Sequence, residues 1–92
     1  MPVLATYTQQ PADVLDYDVD FSEFFPVDDV VTAGVVTVTP PGLDLSYAIQ
    51  GNRIKVWCST GVDGTTYKVT VKATTSDSRV KEVEFKLKIK ED

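Results

Sequence analysis

Along most of this chain, apolar and polar residues alternate one for one. Leu15, Tyr17, Val19 and Phe21 are separated by Asp16, Asp18 and Asp20. Near the other end, Val83, Phe85, Leu87 and Ile89 alternate with Glu82, Glu84, Lys86, Lys88 and Lys90. A period of two sends successive side chains to opposite faces of an extended strand, so each run predicts one face in the core and one in water. The same rule reads Leu43, Leu45, Tyr47 and Ile49 as one face of a strand, closed by a Gln50-Gly51-Asn52 turn. Ile54, Val56 and Cys58 then point inward, with Lys55, Trp57 and Ser59 outward. Tyr67, Val69, Val71 and Ala73 follow, set against Thr66, Lys68, Thr70 and Lys72. Between the first two runs, Ser22–Asp29 (with Phe24-Phe25-Pro26) reads as a connection. Val30–Thr39 is a β-branched run with a bulge predicted at Gly34, ended by Pro40-Pro41-Gly42.

These are six strands, and Val3–Thr8 is a candidate seventh. Residues 1–13 are therefore read as an N-terminal arm or edge strand, and residues 14–92 as the sandwich itself. No segment carries a sustained helical period. Short strands with turn signals at this spacing predict an all-β fold, an immunoglobulin-like antiparallel β-sandwich of six or seven strands, with a small Greek-key barrel as the second choice. The predicted core is Tyr17, Val19, Phe21, Leu45, Tyr47, Ile54, Val56, Tyr67, Val69, Val71, Phe85 and Leu87. Tyr67 follows the Asp63-Gly64 turn at the head of its strand, the place of the tyrosine corner in such sandwiches. Its hydroxyl is expected to bond backbone between Val62 and Thr65.

Charge adds an asymmetry. Residues 1–46 hold eight carboxylates and no Lys or Arg, whereas residues 47–92 hold all nine cations and six acids. Neighbouring strands from the two halves would let these charges meet across a sheet: with Val3–Thr8 as the first strand the Asp16, Asp18, Asp20 row is expected beside Lys55, and with the arm free beside Lys86, Lys88 and Lys90 of the last strand. Complementary surfaces between copies are the other reading. A net charge of −5 argues against a nucleic-acid backbone as partner. No apolar run approaches the roughly 20 residues of a membrane span, and the N-terminus lacks the basic and apolar regions of a secretory signal.

Candidate chemistry is sparse. Asp16-x-Asp18-x-Asp20 fails as an EF-hand loop, because Phe21 and Val27 stand where Gly and Glu are required. On a strand the three carboxylates would line one face about 6.6 Å apart, a solvated row. There is no His, and Cys58 falls on an apolar face, where it is a small core residue before it is a nucleophile. Gly61-x-x-Gly64 opens a strand and lacks the Lys-Ser/Thr of a phosphate loop. No enzymatic activity, cofactor or metal site is expected. What remains for binding is aromatic: Phe24 and Phe25 are read as plugs at one end of the sandwich, and Trp57 either as the cover of a sheet edge or as an outward contact. The candidate interface residues are Leu4, Tyr7 and Trp57.

The order of short motifs is informative where each alone is weak. Asp13-Val14-Leu15-Asp16-Tyr17, Asp20-Phe21-Ser22, Asp29-Val30, Pro41-Gly42-Leu43, Val56-Trp57-Cys58, Thr60-Gly61, Gly64-Thr65-Thr66-Tyr67 and Thr74-Thr75-Ser76-Asp77-Ser78-Arg79 together resemble small tailed-bacteriophage virion proteins of the fibre–tail adaptor type. Phe21 replaces a usual Trp, Cys58 a usual aliphatic, and Ser78 a usual Gly, the last suggesting a different turn geometry. The resemblance implies a structural virion protein, made in the host bacterial cytoplasm, that joins tail or head–tail components and fibres. Its partners would be other virion proteins, with multiple copies in a symmetric assembly. A carbohydrate- or host-surface-binding module and a capsid decoration protein are the alternatives.

Overall fold

In a computed structural model the chain is described for residues 3–26 and 28–91, with the side chains of Val3 and Leu4 outside the described set. Seven strands follow one another: β1 (Val3–Gln9), β2 (Leu15–Asp20), β3 (Val31–Thr39), β4 (Asp44–Gln50), β5 (Arg53–Ser59), β6 (Thr66–Thr75) and β7 (Val80–Ile89). They make two sheets, one ordered β1-β7-β6-β3 and the other β2-β5-β4. All pairings are antiparallel except β1 with β7, which is parallel. This is an all-β sandwich with immunoglobulin-like connections, in which the first strand joins the last.

The core is the filling between the sheets. Val19, Phe21, Ile54, Val56, Tyr67, Val69, Val71, Phe85 and Leu87 are buried as the alternation predicts, together with Val31, Leu43, Cys58, Ala73, Val83 and Ile89. Three predicted core residues differ. Tyr17 and Leu45 are half-buried at its margin, and Tyr47 is 44% exposed. The reason is position within the sheet: β2 and β4 are the edges of the three-stranded layer, so their inward side chains meet less of the opposite sheet. Tyr47 lies across the open side of the sandwich, where its hydroxyl donates to the Gly34 carbonyl at 2.9 Å.

The bulge also falls elsewhere than predicted. The β3–β6 register shifts between Val31 and Ala33, not at Gly34. Gly34 answers a packing demand instead, since a Cβ there would lie 2.9 Å from Ile54 Cδ1. The Gly51-Asn52 turn joins Gln50 to its partner Arg53, with Gly51 at φ 63°. Ser78, expected to alter the last turn, holds φ 65°, the left-handed conformation a glycine takes there most easily.

Candidate docking surface

The outer face of the three-stranded sheet carries the polar half of the alternation. Register sets Asp16 opposite Trp57, Asp18 opposite Lys55 and Asp20 opposite Arg53. Lys55 Nζ lies 3.7 Å from Asp16 Oδ2, and Arg53 Nε lies 3.8 Å from Asp20 Oδ2, so the acidic row neighbours the cations of β5 as expected. Both pairs are solvated, so water and salt screen them and they add little to stability. Asp20 also accepts the Ser22 N–H at 2.9 Å, and that bond is the main reason its carboxyl is held below the ordinary range. Among the described residues, no three acidic or thiol side chains converge on a point where a metal ion would sit.

Trp57 stands in the middle strand of this face, half-buried, with Lys55 Nζ 5.8 Å from its ring centroid. Beside it lies an open depression of about 540 Å³ lined by Val14, Asp44, Leu45, Ser46, Trp57 and Ser59. The depression offers one aromatic wall, one carboxylate and two hydroxyls. A sugar ring would find a single stacking surface there, whereas a protein loop would find an apolar anchor ringed by polar groups.

The other predicted interface residues lie on β1, the edge of the four-stranded sheet. Leu4 has its backbone in that strand, and its side chain lies outside the described residues. Tyr7 is 38% exposed but leans inward, its ring 4.6 Å from that of Tyr17 and 5.8 Å from that of Phe85. Two residues on, Gln9 is buried between the layers. Its amide Nε2 donates to the carbonyls of Cys58 and Asp13, both at 3.1 Å, and its Oε1 accepts the Tyr17 hydroxyl at 2.8 Å. Tyr7 and Trp57 therefore do not form one patch: β1 borders one sheet and Trp57 is central in the other.

Several residues that looked available for chemistry are committed to the fold. Asp29 is fully buried at one end of the sandwich. Its Oδ2 accepts Arg79 Nη1 at 2.9 Å, and its Oδ1 accepts the Ser76 hydroxyl and the Asp77 N–H, both at 3.1 Å. Burial pushes this carboxyl up, but the hydrogen bonds from Thr75, Arg79, Asp77 and Ser76 outweigh it and hold it at about 2. Asn52 extends the clasp, accepting the Val31 N–H at 3.1 Å and donating to the Asp29 carbonyl at 3.2 Å. Tyr67 makes the expected corner, with its hydroxyl accepting the Val62 N–H at 3.1 Å. The Cys58 thiol is buried, and burial pushes it up to about 11, which keeps it protonated and unreactive near neutrality. Phe21, fully buried, stacks with Phe25 at 6.2 Å and meets Phe24 at 6.0 Å, so both loop aromatics close that end of the core. Gln9 was not singled out by sequence pattern, and Asp29 and Arg79 stood only in separate motifs with nothing to pair them. Their signal, polar residues flanking strand ends, is too common to stand out.

Fold and surface together describe a structural β-sandwich module, whose ionisable interior groups hold the chain in place and whose outward aromatic opens onto solvent. The comparison with known families agrees with the motif order. A family described as podophage GP4 fiber-tail adaptor protein gp77 matches residues 9–88, and the chain belongs to that family. No curated protein matches it.

Proposed function

We propose that the protein is a non-enzymatic component of a phage virion that docks between tail and fibre components during assembly. Family membership over residues 9–88 is the observation that carries this reading. The protein is made in the host cytoplasm and incorporated in several copies. Two surfaces serve the docking. The first is the depression beside Trp57, where an aromatic in a polar rim supplies a desolvated anchor. The second is the free edge of β1. Lys90 N–H bonds the Gln9 carbonyl on the β7 side, so by alternation Thr6 and Thr8 turn their backbone groups outward, where a partner's extended segment can add as a strand.

The test is incorporation into particles by chains carrying Trp57→Ala or, separately, Thr8→Pro, which removes one outward donor from the edge. Each folded variant should enter particles poorly. Full incorporation of both would overturn this assignment of surfaces. Stoichiometric binding of a host polysaccharide by the isolated domain, abolished by Trp57→Ala, would instead establish the carbohydrate-binding reading.

A further inference from the structure

On the outer face of the four-stranded sheet, Glu82 and Glu84 lie opposite Lys72 and Thr70, whereas the stretch towards the end of β7 carries lysines alone. Lys68 on β6 sits directly opposite Lys86 on β7, and Lys88 is one alternation further along. All three are exposed. Like charges set directly across a ladder weaken it, so this arrangement works against the fold. Lys68 has Glu84 at 3.7 Å, but among the described residues no carboxylate lies within 4.0 Å of Lys86 or Lys88. The strands beside them offer only Thr6, Thr8 and Thr66 as direct partners, groups that carry no charge.

We propose that this lysine cluster receives the acidic β2 row of a second copy of the chain, where Asp18 has no cation within 4.0 Å among the described residues and Asp16 has only the solvated Lys55 at 3.7 Å. The complementarity is one of spacing as well as sign. Asp16 and Asp18 are alternate residues of one strand, as are Lys86 and Lys88, so both rows repeat at about 6.6 Å and align when the strands run alongside. The two faces belong to opposite layers of the same molecule, so the contact is head-to-tail. Each copy that docks leaves one face of each kind free, which closes rings or extends rows. A sheet face four strands wide spans only about 19 Å, which puts the contact at the small end of specific interfaces. Each contact is weak by itself and is multiplied by neighbours. The inference rests on the adaptor reading only in placing several copies in one particle.

Sedimentation of the purified full chain at concentrations up to about 1 mM tests it. Self-association is expected at low salt, weakened at least about tenfold by 0.3 M salt. Chains carrying Lys86→Glu with Lys88→Glu, or Asp16→Lys with Asp18→Lys, should each stay monomeric while keeping a native β spectrum. Mixing the two variants should restore association, because each then meets its complement. A wild-type chain monomeric throughout, association indifferent to salt and charge reversal, or a mixture that stays monomeric would overturn the proposal. Such a failure would leave Trp57-dependent incorporation into particles intact, so the two readings fail separately.

Discussion

Strands β7 and β4 carry the same alternation, yet their apolar sides end up in different places. In β7, Val83, Phe85, Leu87 and Ile89 are all buried. In β4, Leu45 is half-buried, while Tyr47 and Ile49 are 44% and 37% exposed. Period two assigns a face, and it does so correctly in both strands. Burial also needs neighbours on either side. β7 has β1 and β6 beside it, whereas β4 has only β5 and borders solvent. Alternation therefore reports direction, and strand order decides depth.

The sharpest way to break this contrast is a charge in the centre. Val69→Asp would place an unpaired carboxylate where the side chain is fully buried, costing several kcal/mol of the roughly 5–15 that hold such a domain. The expected outcome is loss of cooperative thermal unfolding, and a native melting curve would mean that β6 faces the other way. A paired truncation measures the gradient. Leu87→Ala should cost about 2–5 kcal/mol in denaturant unfolding, and Ile49→Ala under about 1.5 kcal/mol. Equal losses would contradict the central-versus-edge account.

The two layers also differ in their response to pH. The Asp29 carboxyl is held at about 2, below its ordinary 3.8. Its contribution is present above pH 3.8 and is lost as pH falls through about 2. In the β2–β5 layer the shifts run the other way. Burial raises the Cys58 thiol from 9.0 to about 11, and burial, followed by the charges of Cys58, Asp13, Tyr7 and Asp16, raises the Tyr17 hydroxyl from 10.0 to about 12. Those contributions are present below pH 9–10 and disappear as pH rises through 11–12. Asp29→Asn should blunt the acid limb of a stability–pH curve, and Cys58→Ala the alkaline limb. A variant that flattens the opposite limb would show the layers to be wrongly assigned.

The smallest effect expected is that of Tyr67→Phe, about 1 kcal/mol. The hydroxyl accepts the Val62 N–H, so its removal strands a donor in the loop without disturbing the buried ring. Hydrogen exchange at Val62 should quicken more than exchange within β6. Uniform quickening would place the corner within the cooperative core.

What was legible from sequence follows the same division. Strand faces, the Tyr67 corner and the meeting of β2 with Lys55 all depend on local period plus one known topology. The exposure of Tyr47 was not legible, because it depends on which strand lies at an edge. The Asp29–Arg79 clasp was not legible either, since it joins positions 50 residues apart whose types recur in many turns. Nor was Gln9, whose amide is buried only because β1 lies beside β7 and brings it over the Cys58 carbonyl. Of the candidate interface, Trp57's outward direction was read from alternation, whereas Tyr7 packs against Tyr17 and Phe85 through contacts that no local pattern contains.

The parallel alignment of β1 and β7 has a mechanical consequence. A pull that separates the start of β1 from the end of β7 slides the two strands lengthwise, so their cross-strand hydrogen bonds are strained together and must fail together. The antiparallel β6–β7 pair, drawn apart from its open end, instead parts rung by rung. A single molecule tethered through its first and last strands should yield abruptly and at higher force than one tethered at Asp63 and Lys90, and equal rupture forces would refute this. For a part set between a particle and its fibres, such anisotropy makes the direction of attachment as consequential as its strength.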